Sequence, residues 1–177
     1  GGISLCIVGS LGCALDNIYM PLYCLPLAFV GLIDDRINLS RNVRLTAQIL
    51  TVSLLYKEFF VGNYLNELNI FPKVFFLVII FIGSLSIINF TNFMDGIDGI
   101  IAGSFSIIFI HSFILNNFGL LPIIGSLFGF IIWNWSPAKI FMGDMGSTFI
   151  GAIFVGILMQ SDLSQIFSLV LVSSPLF

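Results

Sequence analysis

Long apolar stretches, almost free of charged residues, run through the whole of this sequence and limit its fold more than any other feature. Of its 177 residues, 58% are hydrophobic and only 8% are charged, whereas soluble domains carry about 25% charged residues. Six basic and nine acidic residues are too few to give a domain of this size a polar surface. The composition therefore predicts an integral membrane protein. It argues against a basic nucleic-acid-binding domain, since the net charge is −3.

Eight apolar stretches are separated by short polar breaks, and each is predicted to form a helix. Backbone N–H and C=O groups in lipid must be satisfied within the chain, and no stretch alternates as a barrel strand would. We therefore expect an all-α integral membrane protein, a polytopic helical bundle of about seven or eight transmembrane helices. Several stretches fall near or below the ~20 residues that a typical span needs. The predicted stretches are Ile3–Leu15, Ile18–Ile33, Leu45–Val61, Val74–Asn92, Ile100–Leu115, Gly119–Trp133, Thr148–Gln160 and Ile166 onward.

The acidic residues divide unequally between the two faces of the predicted bundle. Successive crossings bring five of the nine acids to one face, and the other four are scattered over the opposite face without a common motif. The first face also collects four of the six basic residues, so the positive-inside rule makes it cytoplasmic. We expect a common site on this face. The acids of this face are Asp34, Asp35, Asp95, Asp98 and Asp144, and those of the opposite face are Asp16, Glu58, Glu67 and Asp162.

The five acids of the cytoplasmic face belong to three separate motifs, in loops or at helix ends. The pair Asp34-Asp35 is predicted to lie in a loop over residues 34–44, while Asp95 and Asp98 are three residues apart, a spacing that places both carboxylates on one face of a helical turn. Clustered carboxylates repel one another, so a divalent cation such as Mg²⁺ or Mn²⁺ is the natural compensation. An ion-coupled membrane transporter is the alternative from another functional class, although its usual mid-helix acids and inverted repeats are not evident.

The sequences of these three motifs resemble those of one protein family. The segments GLIDDRINLS (31–40), NFTNFMDGIDGI (89–100) and PAKIFMGDMGSTFIG (137–151) resemble those of the polyprenyl-phosphate N-acetylhexosamine-1-phosphate transferases, glycosyltransferase family 4, in the family's order. The resemblance implies a Mg²⁺-dependent phosphoglycosyltransferase. Such an enzyme moves an N-acetylhexosamine-1-phosphate from a UDP-sugar to undecaprenyl phosphate and releases UMP at the cytoplasmic face of the inner membrane.

Two branches of the family are open to this chain. Asp34-Asp35-Arg36 followed by Asn-Leu-Ser resembles the enzymes that initiate O-antigen-like polysaccharide, which implies lipopolysaccharide biosynthesis. The phospho-N-acetylmuramoyl-pentapeptide transferase of peptidoglycan synthesis is the alternative. In either branch, direct attack by the lipid phosphate is the preferred mechanism and a covalent Asp-phosphate intermediate is the alternative. A general base is not strictly needed, because a phosphate monoester is already largely dianionic near neutral pH.

The resemblance also assigns roles to individual residues. It implies that Asp144 binds Mg²⁺ (or Mn²⁺) with Asn92, and that Asp34, Asp35, Asp95 and Asp98 are the catalytic carboxylates. It further implies a uracil pocket in which the ring of Phe141 stacks on the base and the carboxylate of Asp98 accepts the ring N–H. The implied substrate-binding residues are Asn89, Gly96, Ile97, Asp98, Phe141 and Gly143.

Members of the family carry a later cytoplasmic loop rich in His and Arg, and this sequence departs from the family because it contains no such loop. This chain contains a single histidine, His111, within a predicted helix. We therefore expect residues 1–177 to be one membrane domain, a fragment of a larger transferase truncated at both ends. The expected partners are a UDP-N-acetylhexosamine, a polyprenyl phosphate lipid and the membrane, with no nucleic acid, and a homodimer is the candidate assembly.

Overall fold

The computed structural model describes residues 1–60, 69–116 and 119–176, and in these ranges the chain forms eight α-helices and no strand. The all-α prediction is confirmed for this part of the chain, and its eight helices equal the predicted apolar stretches in number; that seven or eight of them cross a membrane stays a prediction. Val61 and Glu67, which the sequence analysis used, lie outside the described residues. The helices are α1 (Gly2–Leu15), α2 (Met20–Ile37), α3 (Arg41–Phe59), α4 (Ile70–Met94), α5 (Ile100–Asn116), α6 (Leu121–Asn134), α7 (Gly143–Gln160) and α8 (Leu163–Ser173).

The centre of the bundle is α7, which packs against α1, α2, α3, α4 and α5. Almost every residue of α7 from Met145 to Met159 is buried. Its large side chains, such as Phe149 and Phe154, are fully enclosed. Because α7 is surrounded on all sides, its first turn is held firmly against the ends of α2 and α4, and this arrangement positions the site described below.

Two helices among the described residues, α4 and α7, are long and apolar enough to cross a membrane by length and composition. They differ in surroundings, since 78% of the apolar window in α7 is buried but only 17% of that in α4. The exposed face of α4 carries large apolar side chains, including Phe75, Phe76 and Ile82. An apolar surface of this extent is typical of a face covered by lipid or by another protein.

The predicted loop at residues 34–44 is wrong. Helix α2 continues through Asp34 and Asp35 to Ile37, and it ends at Asn38, whose φ of 49° is in the left-handed region. Asn is among the few residues other than glycine that tolerate this conformation at a helix end. The apolar pattern stops at Ile33, so the pattern alone could not reveal the additional helical turn that carries both acids.

Two further predictions around the acidic motifs are also wrong. Asp95 and Asp98 lie in a turn between α4 and α5 rather than on a helix, so their carboxylates do not share one helical face. Helix α7 begins at Gly143 instead of near Thr148. The reason for the early start is a carboxylate from another helix, which accepts hydrogen bonds from the first backbone N–H groups of α7.

Candidate active site

The three acidic motifs meet at one end of the bundle, where α2 and α4 end and α7 begins. The carboxylate of Asp35 accepts a hydrogen bond from the backbone N–H of Asp144, 109 residues away. In the turn after α4, the carboxylate of Asp98 accepts a hydrogen bond from the backbone N–H of Ala138 at 2.9 Å. The structure therefore brings together residues from all three motifs, as expected for a shared site.

Asp35 caps the N-terminus of α7 from outside that helix. Its Oδ1 accepts the N–H of Asp144 at 2.8 Å, and its Oδ2 accepts the N–H of Met145 at 3.4 Å. A negative charge is favourable at this end of a helix, where backbone N–H groups have no partner within the helix. Asp35 therefore fixes the first turn of α7 and, with it, the position of Asp144.

Two glycines permit this close approach. Gly143 has a φ of +71°, and a Cβ at this position would lie 2.6 Å from the Oδ2 of Asp35. Gly31, one helical turn before Asp35, lies so close to α7 that a Cβ would lie 2.7 Å from the Cα of Met145. Contact between α2 and the start of α7 therefore depends on the absence of side chains at both positions.

The side chain of Asp34 contacts Leu39 and Arg44. This residue is only 4% exposed, and its Oδ1 accepts the backbone N–H of Leu39 at 2.6 Å. Its Oδ2 accepts no hydrogen bond from the described residues but lies 3.2 Å from Nη1 of Arg44. The same Nη1 lies 3.9 Å from Oδ2 of Asp144. Because a buried carboxylate needs a counter-charge, Arg44 compensates Asp34 and, at longer range, Asp144.

Asn92, on the last turns of α4, faces the first turn of α7. Its Oδ1 accepts a hydrogen bond from the hydroxyl of Ser147 at 2.7 Å, and its side chain also interacts with the Asp144 carboxylate. Asn92 and Asp144, the two residues predicted to hold the metal, are therefore neighbours. Ser147 was not predicted to belong to the site.

Asp95 lies half-buried beside these carboxylates. Burial, followed by the negative charges of Asp144 and Asp35, raises the pKa of its carboxyl group to about 7, while a hydrogen bond with the backbone of Gly143 opposes the rise. The part of the rise that comes from Asp144 and Asp35 reflects negative charge that the local environment does not fully compensate. A bound cation would relieve that excess.

The oxygen atoms around Asp144 suit a hard divalent cation. Within the described ranges, no group of three or more His, Cys, Asp or Glu residues is arranged to hold a metal ion. Mg²⁺, however, is commonly bound by one or two carboxylates together with water and substrate phosphates. The chemistry of Asp144, Asn92 and Asp95 fits Mg²⁺ or Mn²⁺ shared with a phosphate-containing substrate, and does not form a complete protein cage.

Asp98 lies apart from this centre, in a second part of the site. Its hydrogen bond with Ala138 joins the turn after α4 to the loop before α7, and the hydrogen bond from the Gly99 N–H to Oδ1 of Asn134, at 3.0 Å, joins the same turn to the end of α6. Beside Asp98 lies a cleft of about 490 Å³, lined in part by Ile97 and Trp135. Sequence reasoning missed Trp135, which adjoins the third motif but is not part of it.

The remaining predicted substrate residues are spread along the same end of the bundle. Phe141 and Ile97 are 68% and 62% exposed, and Gly96 has no atom near the position of a Cβ. Phe141 does not line the cleft beside Asp98, so the structure does not bring this ring and carboxylate together there.

Asn89 is engaged with a residue that the sequence analysis did not select. Its Nδ2 donates to Oε1 of Gln48 at 2.9 Å, and Nε2 of Gln48 donates to Oδ1 of Asn89 at the same distance. This reciprocal pair joins α3 to α4. It lines a cavity of about 320 Å³, which also contains Asp34, Arg44 and Asp144. Only the contacts between helices reveal Gln48 and Arg44 as site residues.

Comparisons with known proteins give consistent matches. The family model described as glycosyl transferase family 4 matches residues 17–162. A phospho-N-acetylmuramoyl-pentapeptide-transferase of Latilactobacillus sakei is 32% identical over 89% of this chain and 56% of its own length, and one of Streptococcus uberis is 31% identical over 73% and 45%. An undecaprenyl-phosphate alpha-N-acetylglucosaminyl 1-phosphate transferase of Thermotoga maritima is 31% identical over 77% and 43%. The chain spans about half the length of these relatives.

Proposed function

This chain belongs to glycosyl transferase family 4, and we propose on that basis that it transfers an N-acetylhexosamine-1-phosphate from a UDP-sugar to a polyprenyl phosphate. The observation that carries the proposal is the position of Asp144, which Asp35 fixes beside Asp34, Asn92 and Asp95. Carboxylates gathered beside Arg44 suit a diphosphate that arrives with a divalent cation. The names of the relatives from Latilactobacillus and Thermotoga support phosphosugar transfer in general.

In the proposed reaction, an oxygen of the polyprenyl phosphate attacks the β-phosphorus of the UDP-sugar. The bond between that phosphorus and the bridging oxygen breaks, UMP leaves with the bridging oxygen, and a polyprenyl diphosphate sugar remains. A bound Mg²⁺ supplies compensation for the negative charge that develops on the diphosphate. Most of the catalysis in such a transfer comes from positioning and electrostatics.

The contacts of each residue indicate its role in the proposed reaction. Asp144 and Asn92 bind the cation, and Asp35 is a positioning residue because its carboxylate is occupied by the N–H groups of α7. Asp34 faces the attacking phosphate together with Arg44. Asp98 and the cleft beside it accept the nucleotide, with Trp135 as an additional aromatic surface. Phe141, exposed in the loop before α7, is the proposed further contact of the substrate.

We place the reaction at the cytoplasmic face of an inner (plasma) membrane, in a bundle of seven or eight spans. The apolar outer face of α4 and the gathering of basic residues at the acidic end support this orientation. Single cysteines at Asn38 and Ser136, in a background that lacks Cys6, Cys13 and Cys24, should react with an impermeant reagent only from the cytoplasm. A cysteine at position 162, at the far end of α7, should react only from outside, and labelling of positions 38 and 136 from opposite sides would contradict a shared site.

Two branches of the family remain candidates for the pathway. The Asp-Asp-Arg motif favours initiation of O-antigen-like polysaccharide, as in lipopolysaccharide biosynthesis. The pentapeptide transferase is the second candidate, because relatives from Latilactobacillus and Streptococcus carry that name.

Turnover of a panel of donors tests the function and separates the two branches. Membranes that contain the protein should release UMP when given polyprenyl phosphate, Mg²⁺ and the correct UDP-sugar. UDP-N-acetylglucosamine should be the substrate in the first branch, and UDP-N-acetylmuramoyl-pentapeptide in the second. Release of UDP instead would indicate ordinary glycosyl transfer, and proton- or sodium-dependent uptake of a solute without UMP release would favour a transporter.

A further inference from the structure

Ser147, in the first turn of α7, is fully buried and has no role in the reaction proposed above. We propose that Ser147 is a positioning residue for the cation, because its hydroxyl fixes the side chain of Asn92 against Asp144. The inference rests on the proposed function. It adds to the two proposed ligands a third residue, which sets their relative orientation.

The hydroxyl of Ser147 reaches a side chain on another helix. It donates to Oδ1 of Asn92 on α4 at 2.7 Å, and its Oγ lies 3.0 Å from the backbone carbonyl oxygen of Gly143 on its own helix. A hydroxyl has a single hydrogen to donate, and the shorter distance makes Asn92 the main acceptor. The hydroxyl of Thr148, by contrast, donates to the backbone carbonyl oxygen of Asp144 within α7. Ser147 therefore links the start of α7 to the last turns of α4.

The hydrogen bonds around Asn92 run in one consistent direction. A carboxylate accepts hydrogen bonds and donates none, so the Asn92 amide presents its N–H group to the Asp144 carboxylate, with which it interacts. This orientation directs Oδ1 to Ser147, whose hydroxyl donates to it. An amide oxygen has a second lone pair, which remains available to a cation.

Close packing of α4 against α7 fixes the backbone of this segment and leaves the amide as its movable part. A Cβ on Gly151, one turn after Ser147, would lie 3.1 Å from the Cα of Ile88 and 3.2 Å from the Cβ of Thr91. Because Ile88 is one turn before Asn92, the two backbones approach each other closely next to the site. The remaining freedom is rotation about the side-chain bonds of Asn92, and the hydrogen bond from Ser147 removes it.

The two proposed ligands thus have separate supports. Asp144 is held by the cap that Asp35 of α2 supplies, and Asn92 is held by Ser147 of α7. Fixed ligands matter for Mg²⁺, since this cation demands nearly ideal octahedral geometry. Loss of a residue that orients a ligand typically weakens metal binding or activity by roughly 10- to 100-fold.

Metal binding without turnover tests the role of Ser147. Mn²⁺ titrated into the purified protein, with free Mn²⁺ measured by electron paramagnetic resonance, should bind about tenfold more weakly to Ser147→Ala than to the unmodified protein. Ser106→Ala is the matched control and should bind Mn²⁺ normally, since Ser106 is also buried but donates to the carbonyl oxygen of Ala102 within α5. Equal Mn²⁺ affinities of Ser147→Ala and the unmodified protein would overturn the inference.

Removal of the amide tests whether Ser147 acts through Asn92. In an Asn92→Ala protein the hydroxyl of Ser147 has no side chain to orient, so the addition of Ser147→Ala should change the Mn²⁺ dissociation constant by less than about twofold. If Ser147→Ala weakens binding about tenfold in both backgrounds, Ser147 acts by another route and the inference is wrong.

The Mg²⁺ dependence of turnover separates positioning from damage to the fold. Ser147→Ala should raise the Mg²⁺ concentration that gives half-maximal UMP release about tenfold. At saturating Mg²⁺, kcat should stay within about threefold, because excess cation fills the weakened site. A large fall in kcat that saturating Mg²⁺ does not restore would contradict a role in positioning alone.

Binding and turnover together distinguish failure of this inference from failure of the proposed function. If Ser147→Ala weakens Mn²⁺ binding but the unmodified protein releases UMP from no UDP-sugar, the proposed reaction is wrong and the role of Ser147 stands. If the unmodified protein releases UMP while Ser147→Ala keeps normal Mn²⁺ binding and normal Mg²⁺ dependence, the reaction stands and the inference is wrong. Absence of Mn²⁺ binding to the unmodified protein would overturn the inference in either case.

Discussion

The helices α7 and α8 both begin beside an aspartate, yet the two aspartates have different surroundings. At α8, Asp162 is the N-cap of its own helix and forms a capping box with Gln165, whose side chain accepts the N–H of Asp162 at 2.8 Å. At α7, the capping carboxylate belongs to Asp35 of α2, and Asp144 lies inside the first turn. The carboxylate of Asp162 is therefore used by its own helix, whereas that of Asp144 remains available to a ligand.

The largest difference between the two helix starts should appear in turnover. Asp144→Asn keeps the size of the side chain but removes the charge proposed to hold Mg²⁺, so kcat should fall at least ~100-fold, the size of effect expected when a major electrostatic contact is lost. UMP release measures it. Asp162→Asn, the matched change at α8, should leave kcat within about twofold. Normal turnover and normal Mg²⁺ dependence in a well-expressed Asp144→Asn would remove Asp144 from the metal site.

A smaller loss of kcat is expected when Asp35, which caps α7 from α2, is displaced without any change to a carboxylate. Gly143→Ala places a Cβ 2.6 Å from Oδ2 of Asp35 at a φ of +71°, and the left-handed backbone alone costs about 1 kcal/mol or more. We expect kcat to fall roughly tenfold, because Asp144 moves with the first turn.

The control for this change is an alanine at a glycine with open space around it. Gly83 lies on α4 with no atom within 4 Å of a Cβ, so Gly83→Ala should leave kcat unchanged. If both alanine variants retain full activity, the cap supplied by Asp35 is not needed to position Asp144.

The smallest effect should be confined to stability. Asp162→Ala removes the capping box of α8 and should lower the free energy of unfolding by about 1 kcal/mol, with kcat unchanged. Thermal unfolding in detergent measures the first quantity and UMP release the second. A loss of activity larger than the loss of folded protein would show that the two helix starts are more alike in function than their contacts indicate.

The difference between a helix start set by neighbouring residues and one set by a distant residue explains how much of the fold could be predicted from the sequence. The apolar pattern located α5 to within one residue at either end, since Ile100–Leu115 was predicted and Ile100–Asn116 is observed, because helix formation there depends on neighbours in the chain. The start of α7 depends on Asp35, 109 residues from Asp144, and no local pattern contains that information. The predicted common face for Asp95 and Asp98 failed for a related reason. Hydrogen bonds with Ala138 in the loop before α7 and with Asn134 at the end of α6 hold the segment after α4 in a turn.

For the site, the sequence indicated which acids converge but not how they divide their roles. The motif resemblance selected Asp34, Asp35 and Asp144 together, yet only the hydrogen bonds show that Asp35 is occupied by backbone N–H groups. Arg44 and Gln48 belong to no acidic motif. Their side chains are recognised as part of the site only because α3 packs beside α2, α4 and α7.

The contacts of Gly31 and Asp35 with the first turn of α7 set a strict rule for how the length of α2 can vary. The two residues are one helical turn apart and contact the same segment, one through close backbone packing and one through hydrogen bonds. A single residue inserted between them would rotate Asp35 by about 100° around the helix axis and turn its carboxylate away from α7. Insertions and deletions should therefore be rejected within residues 31–35. Length changes should be less damaging in the short segment 38–40 between α2 and α3, which contacts the site through the backbone N–H groups of Asn38 and Leu39.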